Sequence, residues 1–155
     1  MEIPENVKTI GRSAFERTGI EKLTIKGSGT EIGYLAFYYC KNLKKVTLPS
    51  DVLYGKSPYR DSSSYFTGCP VTGIYYTKGK TGKIYNRDDS NGEVYINAGN
   101  TLEDGVKGTL ETIEFEEGIT EIGDYFFYTK SYLDKEEKYQ HTYKKLKSIK
   151  LPSTL

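Results

Sequence analysis

The sequence contains no tryptophan, one histidine, one methionine and only two cysteines among its 155 residues. Two cysteines, Cys40 and Cys69, are too few for a disulfide framework or a zinc ribbon. The lone histidine, His141, is the only imidazole that a Ser-His-Asp or Cys-His catalytic arrangement could use. It lies in a highly charged stretch, far along the chain from either cysteine. We therefore interpret it as a surface residue and expect no enzyme in this chain.

The sequence also lacks an excess of charge of one sign and any long apolar run. Lys and Arg number 22 and Asp and Glu number 21. This balance does not predict a nucleic-acid partner, because proteins that bind nucleic acids usually carry a basic excess on one face. No apolar run approaches the roughly 18 residues of a membrane span, and the opening segment has neither the basic nor the apolar region of a secretory signal.

The sequence does contain an internal repeat. Gly11 and Gly33 are 22 positions apart, as are Phe15 and Phe37, and a third copy holds one constant offset from the first. A coil of this length cannot bury its own apolar face, so the copies must stack. The predicted columns of the stack are Phe15, Phe37, Phe66 and Phe127; Ile10, Ile32 and Ile122; and Gly11, Gly33 and Gly123. The glycines are predicted to mark a bend where a Cβ would clash or φ is positive, and the Ser-Ala-Phe-Glu-Arg segment is predicted to be a helical or 3₁₀ turn.

A second element, apolar at its first, fourth and sixth positions, alternates with the first and begins at residues 20, 43, 71, 110 and 146. This spacing predicts short strands with one buried face, stacked about 4.8 Å apart in a ladder. The residues between the buried ones should point outward in two columns. They are Thr24, Thr47, Tyr75, Glu114 and Lys150 in one column, and Lys22, Lys45, Gly73, Thr112 and Ser148 in its neighbour.

Three stretches depart from the repeat, at 54–65, 77–109 and 128–145. We interpret them as insertions or degenerate coils within a single domain that spans 1–155. In the second stretch, 83–86 and 93–96 flank an Asn-Gly pair, which favours a hairpin. The last residues, 151–155, match the opening of a new coil, so we expect this chain to be a fragment of a longer array.

Three features resemble ligand sites without fitting them. The segment 78–81 (KGKT) lacks the glycine five places before Gly79 that a phosphate loop requires, and no helix follows it. The acidic segment 88–92 has its oxygens out of register for calcium, so a turn is favoured. Cys40 and Cys69 each lie three residues after a phenylalanine of the predicted column, which favours a ladder of free thiols over a disulfide; no further ligands lie nearby for a metal.

The segment 32–49 (IGYLAFYYCKNLKKVTLP) resembles the BspA-like leucine-rich repeats. The match is specific over 3–53 and 110–127, and it resumes at 146–155. The resemblance implies a leucine-rich-repeat solenoid of β-rich stacked coils. It also implies a secreted or cell-surface protein, associated with adhesion to host proteins and with cell–cell contact, whose repeats are not catalytic.

The expected function is therefore a non-catalytic surface scaffold that binds a host or matrix protein and needs no cofactor or metal. The predicted binding face comprises Lys22, Thr24, Lys45, Thr47, Tyr75, Glu114 and Lys150. The alternative is a carbohydrate-binding or spacer segment that accompanies a catalytic domain elsewhere in the full-length protein. The 15 tyrosines fit a recognition surface and fit a β-rich fold equally well.

Overall fold

The computed structural model describes residues 1–55, 65–84, 95–96, 106, 108–123 and 145–155. These residues form twelve short strands: β1 (Glu2–Ile3), β2 (Thr9–Ile10), β3 (Lys22–Ile25), β4 (Glu31–Ile32), β5 (Lys45–Pro49), β6 (Leu53–Tyr54), β7 (Gly73–Thr77), β8 (Lys83–Ile84), β9 (Tyr95–Ile96), β10 (Thr112–Phe115), β11 (Glu121–Ile122) and β12 (Ser148–Lys150).

The long sheet has the strand order β1-β3-β5-β7-β10-β12, with every neighbouring pair parallel. Strands from successive coils are parallel because the chain crosses this wall in the same direction each time. Alternate side chains point inward, so Leu23, Val46, Ile74 and Ile113 form a buried column. Ile149 continues this column on β12 and is 43% exposed. The predicted solenoid of stacked β-rich coils is confirmed.

A second wall is built from two-residue strands. β2, β4 and β6 pair in parallel, and β9 joins β6 antiparallel. Ile10 pairs with Ile32 as predicted, and Tyr54 continues this column. Ile122 lies instead in a separate two-stranded sheet, where it pairs with Ile84. The repeat pattern did not predict Tyr54 and Ile84 as members of these columns, although both are fully buried.

The two strands expected to form a hairpin in the region 77–109 pair with other strands in the described residues. β8 pairs with β11 and β9 pairs with β6, and no pairing between β8 and β9 occurs among the described strands. Regular structure also extends past the predicted start of two insertions, because Tyr54 lies in β6 and Lys83 lies in β8. The proposed Asn-Gly turn, Phe127 and most residues of the three predicted insertions lie outside the described residues.

The glycine that recurs in the repeat has a clear structural reason at Gly33. A Cβ on Gly33 would lie 2.7 Å from the carbonyl oxygen of Ile10 and 2.8 Å from the amide nitrogen of Arg12. The predicted clash is thus confirmed for Gly33. It is wrong for Gly11, where a Cβ would meet nothing within 4 Å, because Gly11 belongs to the first coil and has no earlier coil beneath it.

A further side of the solenoid is formed by the segments that follow the two-residue strands in the first three coils. We call this side, which consists of residues 11–18, 33–40 and 65–69, the turn wall. Its segments are runs of hydrogen-bonded turns, in which single bonds of the predicted 3₁₀ kind occur but no continuous helical or 3₁₀ turn forms. The amide of Ala14 donates to the carbonyl of Gly11, as in a 3₁₀ turn, but the amides of Ser13 and Phe15 donate to the next coil. Positive φ at Ser13 (54°) and Arg17 (56°) prevents a continuous helix.

The predicted phenylalanine column is the core of the turn wall. Phe15 and Phe37 stack with ring centroids 5.4 Å apart, and Phe37 and Phe66 stack at 5.2 Å, both with the rings tilted by only 6°. Phe37 is fully buried and Phe66 is 1% exposed. The column is therefore confirmed for its three described members.

Candidate functional site: the exposed face of the long sheet

The outward residues of the long sheet form the two columns that the sequence predicts. The register pairs Thr24 with Thr47, Thr47 with Tyr75, Tyr75 with Glu114, and Glu114 with Lys150. The neighbouring column pairs Lys22, Lys45, Gly73, Thr112 and Ser148 in the same way. We call these ten residues the ladder face.

The ladder face is held in place by the residues that alternate with it. On β7, the outward Tyr75 lies between Ile74 and Tyr76, which are 3% and 1% exposed. Tyr76 stacks on Phe115 of β10 with ring centroids 5.4 Å apart. A register slip of one residue would bring these buried rings to the surface, so the outward set is fixed by the cost of exposing the inward set.

Tyr75 lies at the centre of the ladder face and is its most prominent apolar feature. It is 36% exposed. Partial burial, together with the nearby carboxylates of Glu116 and Glu114, raises the pKa of the Tyr75 phenol. The hydroxyl therefore stays protonated well into the alkaline range, and it can donate as well as accept a hydrogen bond at neutral pH.

Charges on the ladder face change sign along the stack. Lys22 and Lys45 lie side by side on β3 and β5, whereas Glu114 on β10 lies between Tyr75 and Lys150. At the edge of the face, the Lys147 ammonium contacts the Glu111 carboxylate at 3.0 Å. The face thus presents a basic end, an aromatic centre and a mixed far end.

A row of turns at the end of the strands supports this face. The Ser28 hydroxyl and the Lys80 amide both donate to the buried Asp51 carboxylate, the latter at 3.1 Å, so one side chain joins three successive coils. Farther along, the amide and hydroxyl of Ser153 donate to Glu117 and lower its pKa. The repeat pattern predicted neither contact, because Asp51 and Glu117 do not occupy the same position in the repeat.

The KGKT segment at 78–81 belongs to this row. Gly79 has a φ of 59°, and the amide of Lys80 that follows it is engaged by Asp51 and by the Ser28 hydroxyl. The Asp51 carboxylate thus accepts from a loop amide of the kind that would bind phosphate in a phosphate loop. The acidic segment 88–92 lies outside the described residues, as does His141.

Both cysteines are free and buried on the turn wall. The Cys40 thiol donates to the Phe15 carbonyl and the Cys69 thiol donates to the Phe37 carbonyl, each at 3.0 Å. Thr18 occupies the equivalent position in the first coil, and its hydroxyl lies 3.4 Å from the Cys40 sulfur. Burial raises the pKa of the Cys69 thiol to about 12. These thiols act as small buried donors between coils, and their burial makes them unreactive.

Within the part of the chain that the structure describes, no group of three or more His, Cys, Asp or Glu side chains is placed to hold a metal ion. The same residues include no helix of the length and apolarity needed to cross a membrane.

Comparison with known proteins gives one match. A family model described as a BspA type leucine rich repeat region matches residues 1–86 and 106–155, in six copies. No curated protein and no solved structure matches the chain. The six copies agree with the six strands of the long sheet, one from each coil.

Proposed function

Because this chain belongs to the BspA-type leucine-rich repeat family, we propose that it is a scaffold that binds a protein partner through the ladder face. Stacked repeats of this kind form extended binding surfaces. The observation that carries the proposal is the unbroken register of the two outward columns across β3, β5, β7, β10 and β12. Five strands at about 4.8 Å spacing give a surface roughly 20 Å wide.

The chemistry of the ladder face matches that of a protein interface. Interfaces typically place an aromatic anchor at the centre and polar residues around it. Tyr75 occupies the central strand, with threonines to one side and Glu114 to the other. The adjacent Lys22 and Lys45 favour a partner with acidic groups facing β3 and β5, because complementary charge speeds and orients association.

We further propose that these repeats are not catalytic. The described acidic groups at the edges of the stack are engaged in exposed ion pairs, such as Glu2 with Lys26 at 2.7 Å and Glu121 with Lys83 at 2.9 Å. The thiols are buried and hydrogen-bonded to main-chain carbonyls. These groups therefore perform structural roles.

The location that fits this function is outside the cell or on its surface, with adhesion to a host or matrix protein as the specific role. The resemblance of the repeat, together with an exposed tyrosine among threonines and lysines, supports this role. A polar, aromatic face of this composition suits recognition of a folded glycoprotein.

The test is binding of the purified chain to a panel of matrix glycoproteins and collagens by surface plasmon resonance. The decisive variant is Tyr75→Thr, because threonine occupies the same column at Thr24 and Thr47 and preserves the strand. Loss of a central aromatic anchor should weaken binding by about 2 kcal/mol, or roughly thirtyfold.

The matched control is Tyr34→Thr, which removes a partly exposed ring of the turn wall that belongs neither to the ladder face nor to a cleft of the structure. It should bind the same panel member as tightly as the unmodified chain does. Equal losses in both variants, or no effect of Tyr75→Thr, would show that the ladder face is not the binding surface.

A further inference from the structure

A cleft opens at the corner where the turn wall leads into the long sheet. Its volume is about 430 Å³, and it is lined by Arg17, Thr18 and Gly19 of the first coil and by Tyr39, Lys41 and Asn42 of the second. This volume lies within the range of roughly 300–1,000 Å³ that is typical of small-ligand sites. The cleft contains two basic side chains, an exposed aromatic ring and a side-chain amide, none of which belongs to the ladder face.

The backbone of the turn wall fixes the direction of the two principal side chains. Arg17 and Tyr39 occupy equivalent positions in successive coils, and both have positive φ, at 56° and 55°. Residues other than glycine rarely adopt this backbone conformation, and it persists only where the surrounding structure holds it. The amide of Arg17 donates to the Tyr38 carbonyl and that of Tyr39 to the Thr67 carbonyl, both at 2.8 Å.

The third coil leaves room for the tyrosine ring. Gly68 is the equivalent of Tyr39 in that coil, with a φ of 78°. A Cβ on Gly68 would lie 2.8 Å from a ring carbon of Tyr39, so the ring rests on the space that the glycine leaves. The Tyr38 ring lies beside the Tyr39 ring, with centroids 4.5 Å apart, and the Lys41 ammonium lies 6.0 Å from the centroid of the Tyr39 ring. The ring is therefore held in place before any ligand binds.

The charges in the cleft leave the cations available. The Arg17 side chain is 72% exposed, and its contact with the Glu16 carboxylate is long, at 3.7 Å through Nε. An exposed pair of this kind contributes little, so the guanidinium can receive a carboxylate or sulfate in its two-pronged geometry. Lys41 and Asn42, which also line the cleft, are exposed.

We propose that this cleft binds an acidic saccharide. A pyranose presents a flat C–H face that fits the Tyr39 ring, an acid group on its edge for Arg17 and Lys41, and hydroxyls that the Asn42 amide can bind. An acidic peptide carries its carboxylates on flexible stems and offers no such flat face to the ring. The cleft therefore recognises a ligand of a different class from the partner of the ladder face.

Isothermal titration calorimetry with four probes tests this assignment: a galacturonate oligosaccharide, a heparin-derived oligosaccharide, a neutral dextran oligosaccharide and a poly-glutamate peptide. At least one of the two acidic oligosaccharides should bind, and more weakly as salt rises. Dextran and the peptide should bind at least tenfold more weakly. Arg17→Ala should reduce the affinity for the acidic oligosaccharide at least tenfold.

Two further variants separate loss of the site from loss of the fold. Tyr39→Gly removes the ring but suits the positive φ, so it should keep the melting temperature and lose the saccharide. Arg12→Ala removes the same charge from the same wall, where Arg12 lies 5.5 Å over the Tyr34 ring and outside the cleft, and should bind normally. Tyr75→Thr should also bind normally, which separates this site from the ladder face.

Four results would overturn the assignment. They are no binding of either acidic oligosaccharide, dextran binding of equal strength, peptide binding of equal strength, and an equal loss in Arg12→Ala. The third would assign the cleft to an acidic peptide instead, and the fourth would indicate attraction by the overall charge rather than by this cleft.

Discussion

The turn wall and the ladder face are built under opposite constraints. On the turn wall, Phe37 stacks between Phe15 and Phe66, Gly33 has no room for a Cβ, and Cys40 donates to a carbonyl of the coil before it. On the ladder face, successive positions of one column hold lysine, lysine, glycine, threonine and serine.

The difference follows from which atoms hold each side together. The strands of the long sheet pair through main-chain groups, which every residue except proline supplies, so the outward side chains are free to vary. Main-chain bonds also join the coils of the turn wall, but this wall depends in addition on particular side chains, the stacked phenylalanines and the thiols, to fill the space between coils. Substitutions should therefore be tolerated less well on the turn wall than at the outward positions of the ladder face.

The largest expected effect tests the turn wall at its centre. Phe37→Ala removes a fully buried ring and should lower the free energy of unfolding by about 3–5 kcal/mol. The measurement is urea unfolding followed by circular dichroism. Phe15→Ala, in the first coil where the ring is only partly buried, should cost less. A loss below about 1 kcal/mol for Phe37→Ala would mean that the ring column does not hold the coils together.

A matched pair of glycines compares the two sides directly. Gly33→Ala on the turn wall would bring a Cβ within 2.8 Å of main-chain atoms, which cannot easily move. We expect a loss of about 1–3 kcal/mol in unfolding free energy, as for other overpacked sites. Gly73→Ala on the ladder face meets the flexible side chains of Thr112 and Lys45, at 3.1 and 4.0 Å.

The second glycine substitution should be neutral or stabilising by up to about 0.5 kcal/mol, because glycine weakens a strand. The melting temperatures of the two variants, measured side by side, check the pair. If Gly73→Ala costs as much as Gly33→Ala, the contrast between the two sides is wrong.

The same contrast explains what the sequence could predict. The outward columns and the phenylalanine column follow from spacing alone, because stacked coils align equal positions. The turns of the turn wall do not follow, because Ser13, Leu35 and Tyr39 adopt positive φ although none is glycine. Only contacts between coils hold them there, and those contacts are absent from any single repeat.

The two candidate sites also differ in how far the sequence could predict them. Tyr75 was predictable as an outward residue from the alternation in β7, although its binding role remains a proposal. The cleft between Arg17 and Tyr39 was not predicted, because it depends on left-handed backbone in two coils and on the vacant position at Gly68. Aligning the coils by sequence would have placed Arg17, Tyr39 and Gly68 at one position. It would not have shown that the Tyr39 ring lies over Gly68.

The last expected effect concerns the alkaline limit of stability, develops gradually with pH and comes from the turn wall. Burial raises the pKa of the Cys69 thiol to about 12, whereas the unfolded chain should ionise near 8.5. The folded state therefore holds its proton more tightly, so this contribution is complete below pH 8.5 and is lost as pH rises toward 12. Between these limits the slope approaches about 1.4 kcal/mol per pH unit.

Cys69→Ala isolates this contribution from the tyrosines and lysines that titrate in the same range, because those groups are common to both proteins. Urea unfolding at intervals from pH 8 to 10.5 should show a shallower decline in the variant, even though its stability at pH 8 is lower. Parallel declines would mean that the thiol ionises as readily in the folded chain as in the unfolded one. Cys69 would then have to be accessible to solvent, and the packing of the third coil against the Phe37 carbonyl would be looser than its 3.0 Å contact indicates.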